Sequence, residues 1–587
     1  MTLRHRDKRL DADLARREPD KAASFAAADS TALAPLADGV YLIGCGCDAS
    51  TTNPVPNNTH NTAPASPQSM GFKAWNLLRM AQMSLPVPPA FVLGTHYYND
   101  PEARQLASDP TLWRPALQRV ERTTGRVFGD NRNPLLLSVR SGAPISMPGM
   151  MVSLLNIGLC DATLPGVVRQ TGNPRLVWDA YRRLIATYAE DVAGLPARRF
   201  AEATAALVGA GDERALDFTE LRALTRQFLA IYASLAGQPF PQEPGVQLAG
   251  AINAVLASWQ SSKAQAYRRL NNLPDTIGTA VTVQAMVFGN AGGKSGAGVG
   301  FTRNPATGDP ALWVDFLFNA QGEDVVSGRR NANDHSHLVI VLPAVWQALQ
   351  DTATQLEQHF KDMQDFEFTV QEGQLFMLQT RDGKRTPRAA ARIALDMLEE
   401  GLISAELAAE RTVGLDRDQL AQVRVVAESG SALTPLARAA TASSGVAIGE
   451  IALDEARAVA RHNAGKPVIL VRRDAETADL TALEAAAGLL TQRGARTAHA
   501  AVVARQLGKV CLIGCADLHI DEAARCIQVG DTTLQEGDLL TLDGNEGVVF
   551  AGAARTEIDY PHALLARLAR LRQQQMDHPP PQTPEIS

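Results

Sequence analysis

The chain has 587 residues and a mass of 62.8 kDa, more than one hydrophobic core accommodates, so about two to four domains are expected. Hydrophobic residues make up 45% and charged residues 20%, with a mean hydropathy of −0.10, which excludes a disordered, collagen-like or membrane-embedded chain. A formal charge of −7 supplies no positive field for nucleic acid or anionic lipid, so neither is expected as a partner.

The first residues, MTLRHRDKRLDADLARREPDKAAS, mix both charge signs and hold no apolar core of signal-peptide length. No later run reaches the roughly 18 apolar residues that span a bilayer, so a membrane is not expected as a partner either. Six cysteines are too sparse for a disulfide framework and suit a reducing, cytoplasmic compartment, and Cys45-Gly46-Cys47 has no second cysteine pair to complete a metal set.

A short strand is predicted at Gly39–Gly44, followed by a polar loop, DASTTNPVPNNTHNTAPASPQ, too poor in large apolar residues to offset the entropy of ordering. Helical spacing runs from Ala74 to Met83 and ends at Pro86-Val87-Pro88-Pro89. Strand-like runs at Leu135–Val139 and Ala280–Phe288 flank a helix-rich middle from Leu176 to Trp259, an α+β pattern with a helical insertion. Arg388 to Arg411 reads as a connecting helix pair, and a second α/β unit spans about Ser444 to Gly552. The tail from Gln573, with three consecutive prolines, is expected to be disordered.

Four stretches carry candidate chemistry. Gly289-Asn290-Ala291-Gly292-Gly293-Lys294-Ser295 has P-loop composition, but its first glycine comes one residue late and the following Gly296–Thr302 is strand-like. It reads as a glycine-rich hairpin whose bare backbone can approach phosphates. In Ser138–Met151, Arg140 at a strand end offers a planar cation for phosphate and the methionines a soft wall for a base; a turn over a core fits equally. Met363–Thr369 and Leu375–Arg381 alternate as a hairpin, with Asp365, Glu367 and Thr369 on one face and Gln379 and Arg381 on one face of its partner. Those groups suit Mg²⁺ and a nucleoside triphosphate, although a solvated hairpin with cross-strand ion pairs has the same pattern. In Thr491–Arg505, His499 follows a glycine turn and opens an apolar helix that Thr497 caps in this reading. A neutral imidazole there can accept a phosphoryl group, with the helix terminus and Arg493 or Arg496 to hold the oxygens, although a lone histidine is more often structural. Asp334-His335-Ser336-His337 reads as a solvated loop, and Cys511 and Cys515 as core.

Together these stretches resemble the pyruvate, phosphate dikinase family and, more loosely, phosphoenolpyruvate synthase. SVRSGAPISMPGMM, AYRRLNNLPDTIGTAVTVQAMVFGN, GFTRNPATGD, NAQGEDVVSG, QDFEFTV and MLQTRDGKRT occur in that family's order across most of residues 71–552. The resemblance implies a multidomain α+β chain: an ATP-grasp-like nucleotide-binding domain with a helical insertion, then a swivelling α/β phosphohistidine domain. The implied boundaries are an N-terminal extension with the first strand and polar loop over 1–70, the nucleotide domain over 71–387, a helical linker over 388–441, the phosphohistidine domain over 442–556, and a partly disordered tail over 557–587.

By the same resemblance Lys73 and Arg140 bind ATP phosphates, Glu323 and Asp324 line the nucleotide site, and Glu367 and Gln379 hold Mg²⁺ with support from Asp365 and Arg381. His499 is the phosphocarrier and Thr497 a regulatory phosphorylation position. In the family, the β-phosphoryl of ATP stays on the histidine, inorganic phosphate takes the γ-phosphoryl, and AMP and pyrophosphate leave. The sequence departs from the family at Met70-Gly71-Phe72-Lys73-Ala74, where a GGKG turn is usual, and at Gly494–His499, where GARTAH replaces GG-x-TSH.

The family's (β/α)₈ barrel for pyruvate or phosphoenolpyruvate has no counterpart in the 35 residues after Gly552. The expectation is therefore an ATP-dependent histidine autokinase that passes its phosphoryl group to a separate acceptor protein or phosphoenolpyruvate/pyruvate-type subunit. Direct transfer to a small molecule and a catalytically degenerate nucleotide-sensing regulator are the alternatives.

Overall fold

A computed structural model describes residues 34–45, 64–145, 147, 150–209, 213–326, 335–427, 434–474, 480–494, 496 and 499–577. The N-terminal half is built on two antiparallel sheets. One runs in the order Val40–Ile43, Ala90–Leu93, Ala280–Ala285, Leu137–Gly142, Ser153–Ile157. The inner strand Ala90–Leu93 is buried on both faces, which is why it reads as an unbroken apolar run. The predicted first strand thus belongs to this sheet rather than to a separate extension.

The other sheet runs Gln374–Asp382, Gln364–Gln371, Gly296–Phe301, Trp313–Phe318. Its third strand alternates glycine with a larger residue, and the reason is packing. A Cβ at Gly296, Gly298 or Gly300 would collide with the rings of Phe316, Phe368 and Phe366 respectively. Those rings pack with Ala74, Leu77 and Met80 of the helix Phe72–Gln82, while Asn76 Nδ2 donates to the Thr380 carbonyl at 2.8 Å. The helix thereby joins the two sheets into one body.

The glycine-rich hairpin expected around Gly289–Thr302 does not form, because Ala280–Ala285 and Gly296–Phe301 lie in different sheets. The connection crosses between them, with Phe288 N–H donating to Gln371 Oε1 at 2.8 Å. Instead of a loop, His335–Val341 is helical, its Leu338 buried in the core beneath the second sheet; Asp334 lies outside the described residues.

The helical insertion packs Pro174–Asp191, Phe218–Ala236 and Pro244–Ser258 around Tyr181, Leu184, Phe228 and Ile252. Local signals set its boundaries: Asp217 and Glu220 form a capping box, and Gly237 ends the helix in the left-handed region at φ 69°.

The second α/β unit holds an eight-stranded sheet whose centre, Val446–Ala452, Val468–Arg472, Gly488–Thr491 and Val510–Ile513, is parallel. Helices Glu455–Asn463, Leu480–Ala485 and His499–Gln506 make the crossovers. The chain enters this unit through Gln422–Val425 and leaves it through Thr556–Asp559, and those two strands pair antiparallel as a ribbon. Asn545 of the unit clamps the ribbon, accepting from Gly445 N–H at 2.9 Å and donating to the Val423 carbonyl at 2.8 Å.

The disorder expected from Gln573 onward does not hold as far as Asp577. His562–Asp577 is a helix whose Leu564, Leu568 and Leu571 fall on one face and pack on the linker helices Pro387–Glu399 and Ala405–Arg411. Arg567 adds ion pairs with Asp396 at 2.7 Å and Glu399 at 2.9 Å. The run is polar overall, so the apolar spacing, not the mean hydropathy, carries the signal. The three prolines fall outside the described residues.

Candidate functional site

Between the two sheets lies a cleft of about 260 Å³ lined by Lys73, Arg140, Glu323, Glu367, Gln379 and Arg381. Lys73 is placed by Gly71, which turns at φ 76° where a Cβ would strike the Gly142 carbonyl; Phe72 N–H then donates to the Ala143 carbonyl at 2.9 Å. The one glycine retained from the family turn is therefore the one the close approach requires. Arg140 reaches from the first sheet to Glu367 on the second at 3.5 Å. Burial and then Arg140 push the Lys73 ammonium down to about 8, against the opposing pull of Glu367.

The hairpin register sets the rest. Glu367 stands opposite Gln379 and Asp365 opposite Arg381, with a bulge between Glu367 and Phe368. Arg381 Nε donates to Asp365 Oδ2 at 2.7 Å. Burial raises the Asp365 carboxyl against the lowering effect of Arg381, and the guanidinium of Arg381 is in turn held charged by Asp365 and Glu367 against its own burial. Asp365 sits behind the cleft as a counter-charge that aims Arg381, whereas Glu367 and Gln379 face the cleft.

Glu323 also lines the cleft, but Asp324 does not. Its carboxylate accepts Gln321 N–H at 3.0 Å and pairs with Arg183 at 3.3 Å, tying this turn to the helical insertion. Arg183 is itself fixed by Asp179 at 2.9 Å. The opposite wall is apolar and soft, made by Met147, Met151, Leu155 and Met286, as the methionine-rich turn suggested. Sequence reasoning missed Ser138 and Gln284, polar groups of the lining that no motif distinguishes from ordinary strand residues, whereas Thr369, which the alternation places on one face with Glu367, also lines the cleft.

A divalent cation of the Mg²⁺ type needs only one or two protein oxygens beside those of its phosphates and waters. Glu367 and Gln379, opposite one another at the cleft, offer a carboxylate and an amide oxygen and so fit it. Among the described residues no cluster of three or more His, Cys, Asp or Glu forms a metal-holding group.

His499 is the first residue of the helix His499–Gln506; Thr497 lies outside the described residues. Three residues before His499 stands Arg496, one of the two arginines expected to hold phosphoryl oxygens. It is committed to Asp315 of the strand Trp313–Phe318, through Nε at 2.8 Å and Nη2 at 2.6 Å, and stacks over Trp313 at 4.1 Å. Arg505, on the histidine helix, donates to the Ala442 carbonyl at 2.6 and 3.0 Å and to the Arg496 carbonyl at 3.3 Å, bracing that loop.

Across the second sheet, Gln379, Glu367, Val299 and Asp315 follow one another in register on one face. Asp315 thus lies two strand spacings, about 10 Å, from Glu367. Through Arg496, the stretch just before His499 is anchored on the sheet face that carries Glu367 and Gln379. Asp315 also escaped sequence reasoning, although a lone carboxylate in the apolar strand WVDFLF is an available signal for a buried ion pair.

The sequence profile described as pyruvate phosphate dikinase, AMP/ATP-binding domain, matches residues 107–341 and 333–402. The profile of the PEP-utilising enzyme mobile domain matches residues 464–547. The chain is 41% identical over 496 residues to pyruvate, phosphate dikinase of Clostridium symbiosum, covering 83% of this chain and 57% of that protein. It is 41% identical over 489 residues to pyruvate, phosphate dikinase 2 of Zea mays, 82% of this chain and 55% of that protein, and 41% identical over 501 residues to the Rhizobium meliloti dikinase, 82% and 56%. It therefore spans little more than half the length of these relatives. No helix among the described residues is long and apolar enough to cross a membrane.

Proposed function

Because the chain belongs to the pyruvate, phosphate dikinase family, we propose that it carries out the ATP-driven phosphorylation of His499 and passes the phosphoryl group onward. The observation that carries this reading is the shared sheet face: Glu367 and Gln379 line the cleft while Asp315, in the same register row, anchors the loop leading to His499.

In this reading the two sheets form an ATP-grasp-like site. The base rests against Met147, Met151 and Met286, and the phosphates meet Lys73, Arg140 and Arg381. Glu367 and Gln379 hold Mg²⁺, which when bound neutralises charge on the phosphate oxygens. A neutral His499 nitrogen attacks the β-phosphorus; the bond to the α-phosphate oxygen breaks and AMP leaves. Inorganic phosphate then takes the γ-phosphoryl, giving pyrophosphate and phosphohistidine. Lys73, Arg140 and Arg381 are preorganised cations for the charge that shifts in both steps.

The unit over residues 442–556 is the swivelling carrier, its pivot the ribbon of Gln422–Val425 and Thr556–Asp559. The acceptor is proposed to lie on another polypeptide, a phosphoenolpyruvate/pyruvate-type subunit, or to be a small molecule, and Thr497 is a proposed regulatory site.

Incubation of the chain with Mg-ATP, with and without phosphate, tests the reading by ³¹P NMR and intact mass. The expected result is one added phosphoryl group, lost in His499→Ala, with release of AMP. Nucleotide binding without any mass gain would instead establish a nucleotide-sensing protein.

A further inference from the structure

Arg496 and Asp315 come from different domains, and their contact is more than a surface ion pair. Asp315 is 1% exposed, and the side chain of Arg496 is 20% exposed. The guanidinium lies between the carboxylate and the face of Trp313, so it is held by charge, two nitrogens and stacking together. The Arg496 backbone N–H also points at the Asp315 carboxylate, whose Oδ2 has no hydrogen-bond partner among the described residues. From behind, Arg505 holds the Arg496 carbonyl and the Ala442 carbonyl.

We infer that Arg496 and Asp315 form the clasp that docks the carrier domain on the nucleotide-binding body and so positions His499 for phosphorylation. The inference rests on the histidine-carrier reading, and it assigns Arg496 a positioning role three residues from the nucleophile. Neither residue lines the ATP cleft, so nucleotide binding does not depend on them. A buried carboxylate that loses its cation is worse placed than one neutralised with it. Arg496→Met therefore undocks the domain most strongly, and adding Asp315→Asn to it recovers part of the loss.

The test uses the full chain with a donor and an acceptor dye at the exposed positions Glu202 and Asp531, one in each domain. Without nucleotide, energy transfer falls in Arg496→Met and rises again in Asp315→Asn/Arg496→Met. In single-turnover quench, Arg496→Met slows labelling of His499 at least about tenfold, the double variant less, with ATP affinity within about twofold of wild type. Unchanged energy transfer in Arg496→Met, or additive losses in the double variant, overturns the clasp. Energy transfer is read in the absence of ATP and equally in a His499→Ala background. It therefore reports on docking even where the histidine proves not to be phosphorylated.

Discussion

Arg140 and Glu367 face each other at 3.5 Å from two different sheets, and this single pair spans the mouth of the cleft. Glu367 balances a set of cations, Lys73, Arg140 and Arg381, which otherwise repel one another. Removing its charge therefore has opposite effects on nucleotide and on metal. In Glu367→Gln, ATP binding measured calorimetrically in EDTA is expected to be retained or tightened, while Mg-dependent phosphorylation falls about 100-fold. Gln379→Ala is expected to lose the Mg-dependent rate without gaining affinity. A Glu367→Gln enzyme with wild-type rate in Mg²⁺ would remove the metal assignment.

His499 is the expected site of covalent labelling. With β-³²P-ATP the wild-type chain should take up acid-labile label, and His499→Asn none, with ATP affinity unchanged. Label that survives this substitution would place the acceptor nitrogen elsewhere.

Lys73 gives the cleft a pH dependence of defined sign. With its pKa pushed down to about 8, the ammonium is charged at neutral pH and lost as pH rises through that value. ATP affinity is expected to weaken above about pH 8, at most tenfold per pH unit, because bound polyphosphate favours the protonated lysine. The same depression leaves the unfolded chain holding more protons between about 8 and 10.5, so Lys73 adds stability as pH climbs through that window. Titration of ATP binding in wild type and Lys73→Met from pH 6.5 to 9.5 checks this; parallel profiles would refute it.

Gly298 has no room for a side chain, since Phe368 occupies the position its Cβ would take. Gly298→Val should cost roughly 1–3 kcal/mol in urea denaturation and shift the strand that carries Glu367. The comparison is Ala297→Val on the opposite face, which should disturb the packing with Leu317, Ala320 and Val325 rather than the aromatic layer. Equal stability of Gly298→Val and wild type would contradict the packing.

The hairpin of Glu367 and Gln379 was legible because alternation, a Glu372-Gly373 turn and a short span leave one register. Glu372 and Gly373 indeed take φ of 51° and 80°. The crossing after Ala285 was not legible: a glycine-rich stretch between two strands signals a hairpin locally, and the bonds that draw it to the other sheet come from distant residues, Gln371 to Phe288 and Ala320 to Gly289 among them. The helix over His562–Asp577 escaped because half of it is polar, with Gln573-Gln574-Gln575 near its end, and its leucines pack on the linker helices Pro387–Glu399 and Ala405–Arg411, more than 150 residues earlier. Asp324 was assigned to the nucleotide by motif position and Arg496 to phosphoryl oxygens by residue type, whereas their partners, Arg183 and Asp315, are separated from them by 141 and 181 residues.

The ribbon that joins Gln422–Val425 to Thr556–Asp559 brings the two ends of the second α/β unit side by side, one strand spacing or about 4.8 Å apart. The unit is therefore a cassette: about 130 residues inserted between two neighbouring points of a body that is otherwise closed by the helix His562–Asp577. The geometry lets such a cassette be cut out and bridged by a short turn between Val425 and Thr556, because every residue lining the cleft lies outside it.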